Sequence, residues 1–283
     1  MYQAGLVLEG GGMKGAYTAG VLDFFLEKNM EFSSVYGVSA GAVHMCSYLS
    51  KQKGRSIRIS TKYGADPRYC SIASLLFTGD LFNVKTCYDT VPNKWEPFDH
   101  KTYESYKGKA YAVVTNIETG KAEYLRVKEC REGLQKVRAS ASLPLVSRNV
   151  PIDGGLYLDG AMADSIPIAK SIMDGNAKNV VILTKEVGYV RMPASQMGLL
   201  KLRYGKKYPK VVELMQKRHL MYNETLAYLD RLEESGKVFI IRPKKPSDVG
   251  RLEKDAKKLQ ALYKEGYEDA KACHEDLIKF LMC

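Results

Sequence analysis

The stretch Gly37-Val38-Ser39-Ala40-Gly41 constrains this chain more than any other. It reads Gly-X-Ser-X-Gly, the pattern of a nucleophile elbow, in which a strand ends in a sharp turn and a helix leaves it. Such a turn needs positive φ and close backbone contacts; Gly37 and Gly41 carry no β-carbon to obstruct them. The flanks agree. Val35-Tyr36 and Val38 form a short β-like run, and Ala42-Val43-His44-Met45 opens a run compatible with a helix. A serine so placed has its hydroxyl pushed out towards a substrate. The five letters also describe ordinary glycine-flanked turns, so their meaning depends on the rest of the chain.

The surrounding pattern alternates strands with helices. Ala4 to Leu8 is an apolar strand candidate that runs into Glu9-Gly10-Gly11-Gly12-Met13-Lys14-Gly15, and Ala16 to Lys28 follows with an apolar stripe at helical spacing. Residues 51–108 are broken by Gly54, Gly64, Pro67, Gly79, Pro92, Pro97 and Gly108. They read as an irregular insertion with short helices, in which Phe77, Phe82, Trp95 and Phe98 are expected to pack. Lys109 to Thr115 and Ala122 to Val127 read as a hairpin around Glu118-Thr119-Gly120. Arg131 to Ser142 reads as a helix that stops before Pro144, and Tyr157-Leu158 as a short strand. The apolar run Asn179 to Thr184 has the look of a strand buried on both faces, and Val238 to Arg242 is another strand. Two long amphipathic helices frame it. Pro209 to Glu234 turns Val211, Leu214, Met215, Met221, Tyr222, Leu229 and Leu232 inward; Leu252 to Ala270 does the same with Leu252, Ala256, Leu259, Tyr263 and Tyr267. This order predicts an α/β sheet with helices on both sides.

Composition bounds the function class. At 283 residues and 45% apolar content, the chain can bury a large core. Its net charge of +11 favours contact with anionic surfaces, such as phospholipid headgroups or nucleic acid. The start Met1-Tyr2-Gln3-Ala4-Gly5 lacks the basic and apolar regions of a signal peptide, and no run reaches the ~18 apolar residues of a membrane span. Cys46, Cys70, Cys87, Cys130, Cys273 and Cys283 are scattered, with no C-x-x-C pair. Reduced thiols in a cytoplasmic protein, peripheral to a membrane at most, are the expectation.

Gly10 to Gly15 can be read in two ways. It satisfies G-x-G-x-x-G after a strand and before a helix, as a dinucleotide site would. The next strand of such a unit should end in an acidic residue for the ribose; here it ends in the elbow. The second reading is an oxyanion hole, in which the backbone N–H groups of a glycine run converge on the spot where negative charge develops. The closeness of the elbow, some 25 residues on, favours it. Lys14 adds positive charge beside the run.

A serine nucleophile also needs a base. None of His44, His100, His219 and His274 sits in a glycine-rich turn; His44 reads as structural, and His219 is the candidate for a Ser-His-Asp triad. A carboxylate is the other choice. Asp159-Gly160-Ala161 follows Tyr157-Leu158 and precedes Ser165-Ile166-Pro167, and Asp153-Gly154-Gly155 has the same look. Burial beside a hydroxyl would raise a carboxylate from its reference pKa of about 3.9 and make it a better base.

Taken together, the chain resembles the bacterial patatin-like phospholipases. Gly10-Gly11-Gly12-Met13-Lys14-Gly15 is similar to the family's glycine-rich oxyanion motif, with lysine where arginine is usual. Gly37-Val38-Ser39-Ala40-Gly41 is similar to its elbow, and Asp159-Gly160-Ala161 to its Asp-Gly-Gly/Ala motif. Ala139-Ser140-Ala141-Ser142-Leu143-Pro144 and Asp164-Ser165-Ile166-Pro167 resemble its flanking blocks, which selects Asp159 over Asp153. The resemblance implies a three-layer α/β/α fold with a mostly parallel central sheet. It also implies a Ser39–Asp159 dyad without histidine, and hydrolysis of lipid acyl esters with no cofactor or metal. The expected organisation is a catalytic domain over 1–189. A C-terminal extension over 190–283, with two long helices and a strand, is expected to pack on the same unit. The expected partners are an acyl-ester substrate and an anionic membrane surface, not nucleic acid.

Overall fold

A computed structural model describes residues 1–282, without the side chains at 130–132. Cys283 and the side chain of Cys130 therefore lie outside the described residues; Cys46, Cys70, Cys87 and Cys273 are free thiols. The chain runs through β1 (Tyr2–Leu8), α1 (Ala16–Glu27), β2 (Phe32–Val38), α2 (Ala40–Leu49), α3 (Arg55–Tyr63), α4 (Ile72–Thr78) and α5 (His100–Glu104). It continues with β3 (Lys109–Asn116), β4 (Ala122–Arg126), α6 (Cys130–Ser140), β5 (Val150–Ile152), β6 (Gly155–Asp159), α7 (Ile168–Met173) and β7 (Asn179–Ile182). Then come α8 (Met197–Tyr204), α9 (Pro209–Glu234), β8 (Val238–Ile241), α10 (Ala256–Ala272) and α11 (His274–Met282).

Eight strands form one sheet in the order β5-β6-β3-β2-β1-β7-β8, with β4 also paired to β3. The five strands from β3 to β8 are parallel, and β4, β5 and β6 are antiparallel additions at one side. Alternation along the central strands sorts the core into two layers. Leu6, Leu8, Val180 and Ile182 face a cluster built with α1, α2 and α10. Val7, Val181 and Leu183 face a second cluster with α7 and α9. The mostly parallel, three-layer α/β/α arrangement matches the expectation.

Helix α1 is buried along nearly its whole length, Thr18 and Asp23 included among its mostly apolar residues. It is covered by α10, and the two backbones touch. A β-carbon on Gly20 would lie 2.0 Å from the carbonyl oxygen of Tyr263. Reciprocal bonds seal the crossing: Tyr17 Oη donates to Asp269 Oδ2 at 2.9 Å, and Tyr263 Oη to Asp23 Oδ2 at 2.8 Å.

Three expectations need correction. Phe77 does not pack; it is 86% exposed on α4, beside exposed Ile72 and Leu76. Trp95, Phe82 and Phe98 do pack, against Tyr63, Tyr69 and the main core. Leu252 and Ala256 are exposed, because α10 starts only at Ala256, where Asp255 Oδ1 caps the N–H groups of Lys257 and Lys258. Strand β5 and helix α8 have no counterpart in the sequence reading. Asp153 proves to be a turn residue: with φ +48 and Gly154 at φ +84, it closes the β5–β6 hairpin.

Candidate active site

Strand β3 assembles the site by its register. On one edge it carries β4, paired over Tyr111 to Thr115. On the other edge it carries β2 as far as Val113 and then β6 from Val114 onwards. Since β2 is parallel to β3 and β6 antiparallel, the two meet end to end. Val38, the last residue of β2, is opposite Val113, and Asp159, the last of β6, is opposite Val114. Ser39 follows Val38, so the two side chains are delivered to one spot from 120 residues apart in sequence.

Ser39 Oγ donates to Asp159 Oδ2 at 2.6 Å. Both residues are buried, Ser39 at 7% exposure and Asp159 at 1%. Ser39 has φ +54 and ψ −120, a conformation that costs a non-glycine residue on the order of 1–3 kcal/mol. The surroundings hold it there. Its N–H donates to Ser140 Oγ at 2.9 Å, and its carbonyl accepts from the N–H groups of Ala42 and Val43. Asp159 is equally fixed: Oδ1 accepts the Ala161 N–H at 2.8 Å, and its N–H donates to the Ser142 carbonyl at 2.8 Å. Burial raises the Asp159 pKa, against the hydrogen bonds from Ser39 and Ala161 and the charges of Arg218 and Arg251, which lower it.

The glycine run lies against the serine. A β-carbon on Gly10 would approach Ser39 Cβ to 2.8 Å, so only glycine allows this contact. The N–H groups of Gly10, Gly11 and Gly12 donate to nothing among the described residues, and neither does that of Ala40, the first residue of α2. The expected donor set is narrower than the six-residue motif. Met13 N–H donates to the Arg251 carbonyl at 3.1 Å and Lys14 N–H to the Gly11 carbonyl at 3.3 Å, so both are engaged. Lys14 Nζ donates to the Ser247 carbonyl at 3.5 Å. Gly15 lies within the 3-10 turn that leads into α1 and packs against His44. Gly37 and Gly41 flank the turn, with Gly41 against the Leu8 carbonyl.

The histidines stay apart from this pair. His44 is buried on α2 against Gly15, its pKa pushed down to about 4 by burial, and it bonds neither Ser39 nor Asp159. His219 lines a cavity that Asp159 also lines, without a bond to either residue.

Two cavities meet at the pair, and Leu143 lines both. An apolar one of about 160 Å³ holds Ser39 with Val43, Ile59, Phe82, Phe98 and Leu134. A larger one of about 610 Å³ holds Asp159 with Arg191, Arg218 and Arg251. Sequence reasoning missed these arginines, Ser140 as the acceptor for Ser39, and Glu9. Glu9 is fully buried; Oε2 accepts from Thr184 N and Oγ1 at 2.6 and 3.0 Å, and Oε1 from Tyr222 Oη at 2.7 Å. It anchors the start of the glycine run to the end of β7 and to α9. The one sequence signal was a carboxylate directly after an apolar strand.

The family model of patatin-like phospholipases matches residues 6–171, and that of a domain of unknown function (DUF6363) matches residues 208–282. An uncharacterized protein of Escherichia coli, YjjU, is 24% identical over 245 residues, covering 85% of this chain and 68% of that protein. Lysophospholipase NTE1 of Cryptococcus neoformans is 27% identical over 201 residues, which cover 66% of this chain and only 11% of that protein. The crystal structure of VipD from Legionella pneumophila aligns with a TM-score of 0.48 at 14% identity, covering 98% of this chain and 67% of that one.

Proposed function

Because the chain belongs to the patatin-like phospholipase family, we propose that it is a serine hydrolase of lipid acyl esters working through a Ser39–Asp159 dyad. The observation that carries this reading is the 2.6 Å bond from Ser39 Oγ to a buried carboxylate, made by a serine in strained elbow geometry. Ser39 Oγ attacks the ester carbonyl while Asp159 Oδ2 takes its proton. The N–H groups of Gly10, Gly11, Gly12 and Ala40 receive the developing oxyanion; each such donor contributes about 3–4 kcal/mol to the transition state in mutational tests. Collapse expels the alcohol, protonated by Asp159, and leaves an acyl-enzyme. Water, activated by the same carboxylate, attacks it, so one ester and one water become one fatty acid and one alcohol.

The apolar cavity at Ser39 suits an acyl chain. The name of the Cryptococcus relative adds lysophospholipids to the substrates worth testing. Reaction with a fluorophosphonate followed by peptide mapping tests the dyad: the adduct is expected on Ser39 and absent from Ser39→Ala. Labelling elsewhere, or full esterase activity in Ser39→Ala, overturns it.

Peripheral contact with an anionic membrane belongs to the same reading. Ile72, Leu76 and Phe77 present bare apolar side chains on α4, and the chain carries a net charge of +11. No helix among the described residues is long and apolar enough to cross a membrane. Flotation with phosphatidylglycerol vesicles should weaken as salt rises and weaken further in Phe77→Ser. Salt-independent flotation removes the electrostatic part.

A further inference from the structure

The larger cavity has a chemistry of its own. Arg191, Arg218 and Arg251 line it, and none of the three forms an ion pair among the described residues. Each is held in place by other means. Arg218 Nε donates to the Ala161 carbonyl at 2.5 Å, leaving its remaining N–H groups for the cavity. Arg191 is clamped by its backbone: its N–H donates to Asn223 Oδ1 at 2.8 Å, and its carbonyl accepts from Asn223 Nδ2 at 3.1 Å. Its guanidinium lies 4.1 Å over the Tyr222 ring, and its Nε is buried without a partner. The carbonyl of Arg251 accepts the Met13 N–H, tying this arginine to the glycine run.

These cations repel one another. Arg218 is pushed down to about 10, first by burial and then by Arg191 and, more weakly, by Arg251. Lys185 is pushed down to about 8 by burial and by Lys14. The nearby acids are already engaged, Glu9 by Thr184 and Tyr222 and Asp159 by Ser39 and Ala161. Among the described residues, Asp159 is the one carboxylate that lines the cavity. Three guanidinium groups against one carboxylate, itself bonded to Ser39 and Ala161, leave a net positive lining that matches the oxygens of a phosphate and disfavours a cationic headgroup.

We propose that Arg191, Arg218 and Arg251 form a subsite for the terminal phosphate of an acylated glycerophosphate, whose acyl chain enters the apolar pocket at Ser39. This rests on the hydrolase reading. It gives a role to the C-terminal segment, since Arg218 and Arg251 lie within residues 208–282 and Arg191 lies between the two matched regions.

The test compares three substrates with the same acyl chain: 1-acylglycerol 3-phosphate, 1-acylglycerophosphocholine and 1-monoacylglycerol. The phosphate ester should show the highest kcat/KM, by tenfold or more. Arg218→Gln and Arg191→Gln should each erase that preference by roughly tenfold to a hundredfold, the loss expected of one charge-assisted bond. Arg191→Lys, which keeps the charge, should retain part of it and guards against a folding artefact. Equal rates on all three substrates, or preference for the choline ester, overturn the subsite. Calorimetry on Ser39→Ala, titrated with glycerol 3-phosphate, with 1-acylglycerol 3-phosphate and with inorganic phosphate, reads binding without turnover. It therefore separates a failed subsite from a failed dyad. Tighter binding of the acylated compound supports a lipid headgroup. Equal binding of all three makes this a free-phosphate site and overturns the headgroup assignment, and no binding overturns the subsite.

Discussion

At the scale of single residues, the site sets one buried carboxylate against the stability of the fold. The Asp159 pKa is raised above its unfolded value of about 3.9, chiefly by burial. The folded state therefore holds this proton more tightly than the unfolded one. Below the unfolded pKa the stability is fully present; it falls as pH rises towards and through the folded pKa, because a buried charge must form. Asp159→Asn removes that cost. Its melting temperature should equal the parent's in acid and exceed it increasingly towards neutral pH, while turnover drops by at least about 10²–10⁴-fold, the usual contribution of a positioned base. The acid limb of kcat/KM against pH should lie above the ordinary carboxylate range; a limb near 4 or below contradicts the assignment. Ser140 supplies the second residue-scale prediction. Ser140→Ala leaves the buried Ser39 N–H without its acceptor, which costs about 1–3 kcal/mol and should lower kcat more than it raises KM. Ser39 was legible because its flanking glycines announce the elbow, whereas Asp159 shared its local look with Asp153 and was chosen over it by the family resemblance. Ser140 stood in a recognised block, yet its bond to a residue 101 positions away is a product of packing that no local pattern encodes.

At the scale of elements, β3 is the gauge. Val113 and Val114 mark where β2 stops and β6 takes over, so the meeting of serine and aspartate depends on the register of a single strand. Inserting one residue between them would turn every later side chain of β3 to the other face and shift β6 away from β2. Activity should vanish and the melting temperature fall. An insertion of the same size beside Gly120, in the β3–β4 turn, should leave both nearly unchanged, since surface turns absorb added residues. The parallel strands and long helices were legible from apolar runs and helical spacing. Strand β5 was not, because Val150-Pro151-Ile152 is too short to show a period. Helix α8 was missed because only Leu200 and Tyr204 of its eight residues are buried, leaving no stripe to read.

At the scale of the whole molecule, the two ends of the chain complete each other. Strand β8 extends the sheet beyond β7, α10 covers α1, and Tyr222 on α9 satisfies the buried Glu9. Tyr222→Phe keeps the ring and removes one donor to a buried carboxylate. It should cost about 1.5–3 kcal/mol, the range for a hydrogen bond to a charged group, measured by denaturant unfolding. If it proves neutral, Glu9 is held by Thr184 alone. The strand and the helices were legible one by one, but the Glu9 to Tyr222 contact was not, since a bond across 213 positions leaves no trace in any short window of sequence. The Glu9 to Tyr222 bond also has a consequence in time. On the ribosome Glu9 and the glycine loop emerge 213 residues before Tyr222, their anchor on α9. A nascent chain carries the loop, Ser39 and Asp159 before it can hold the loop in order, so the proposed hydrolysis should switch on only once Tyr222 has emerged.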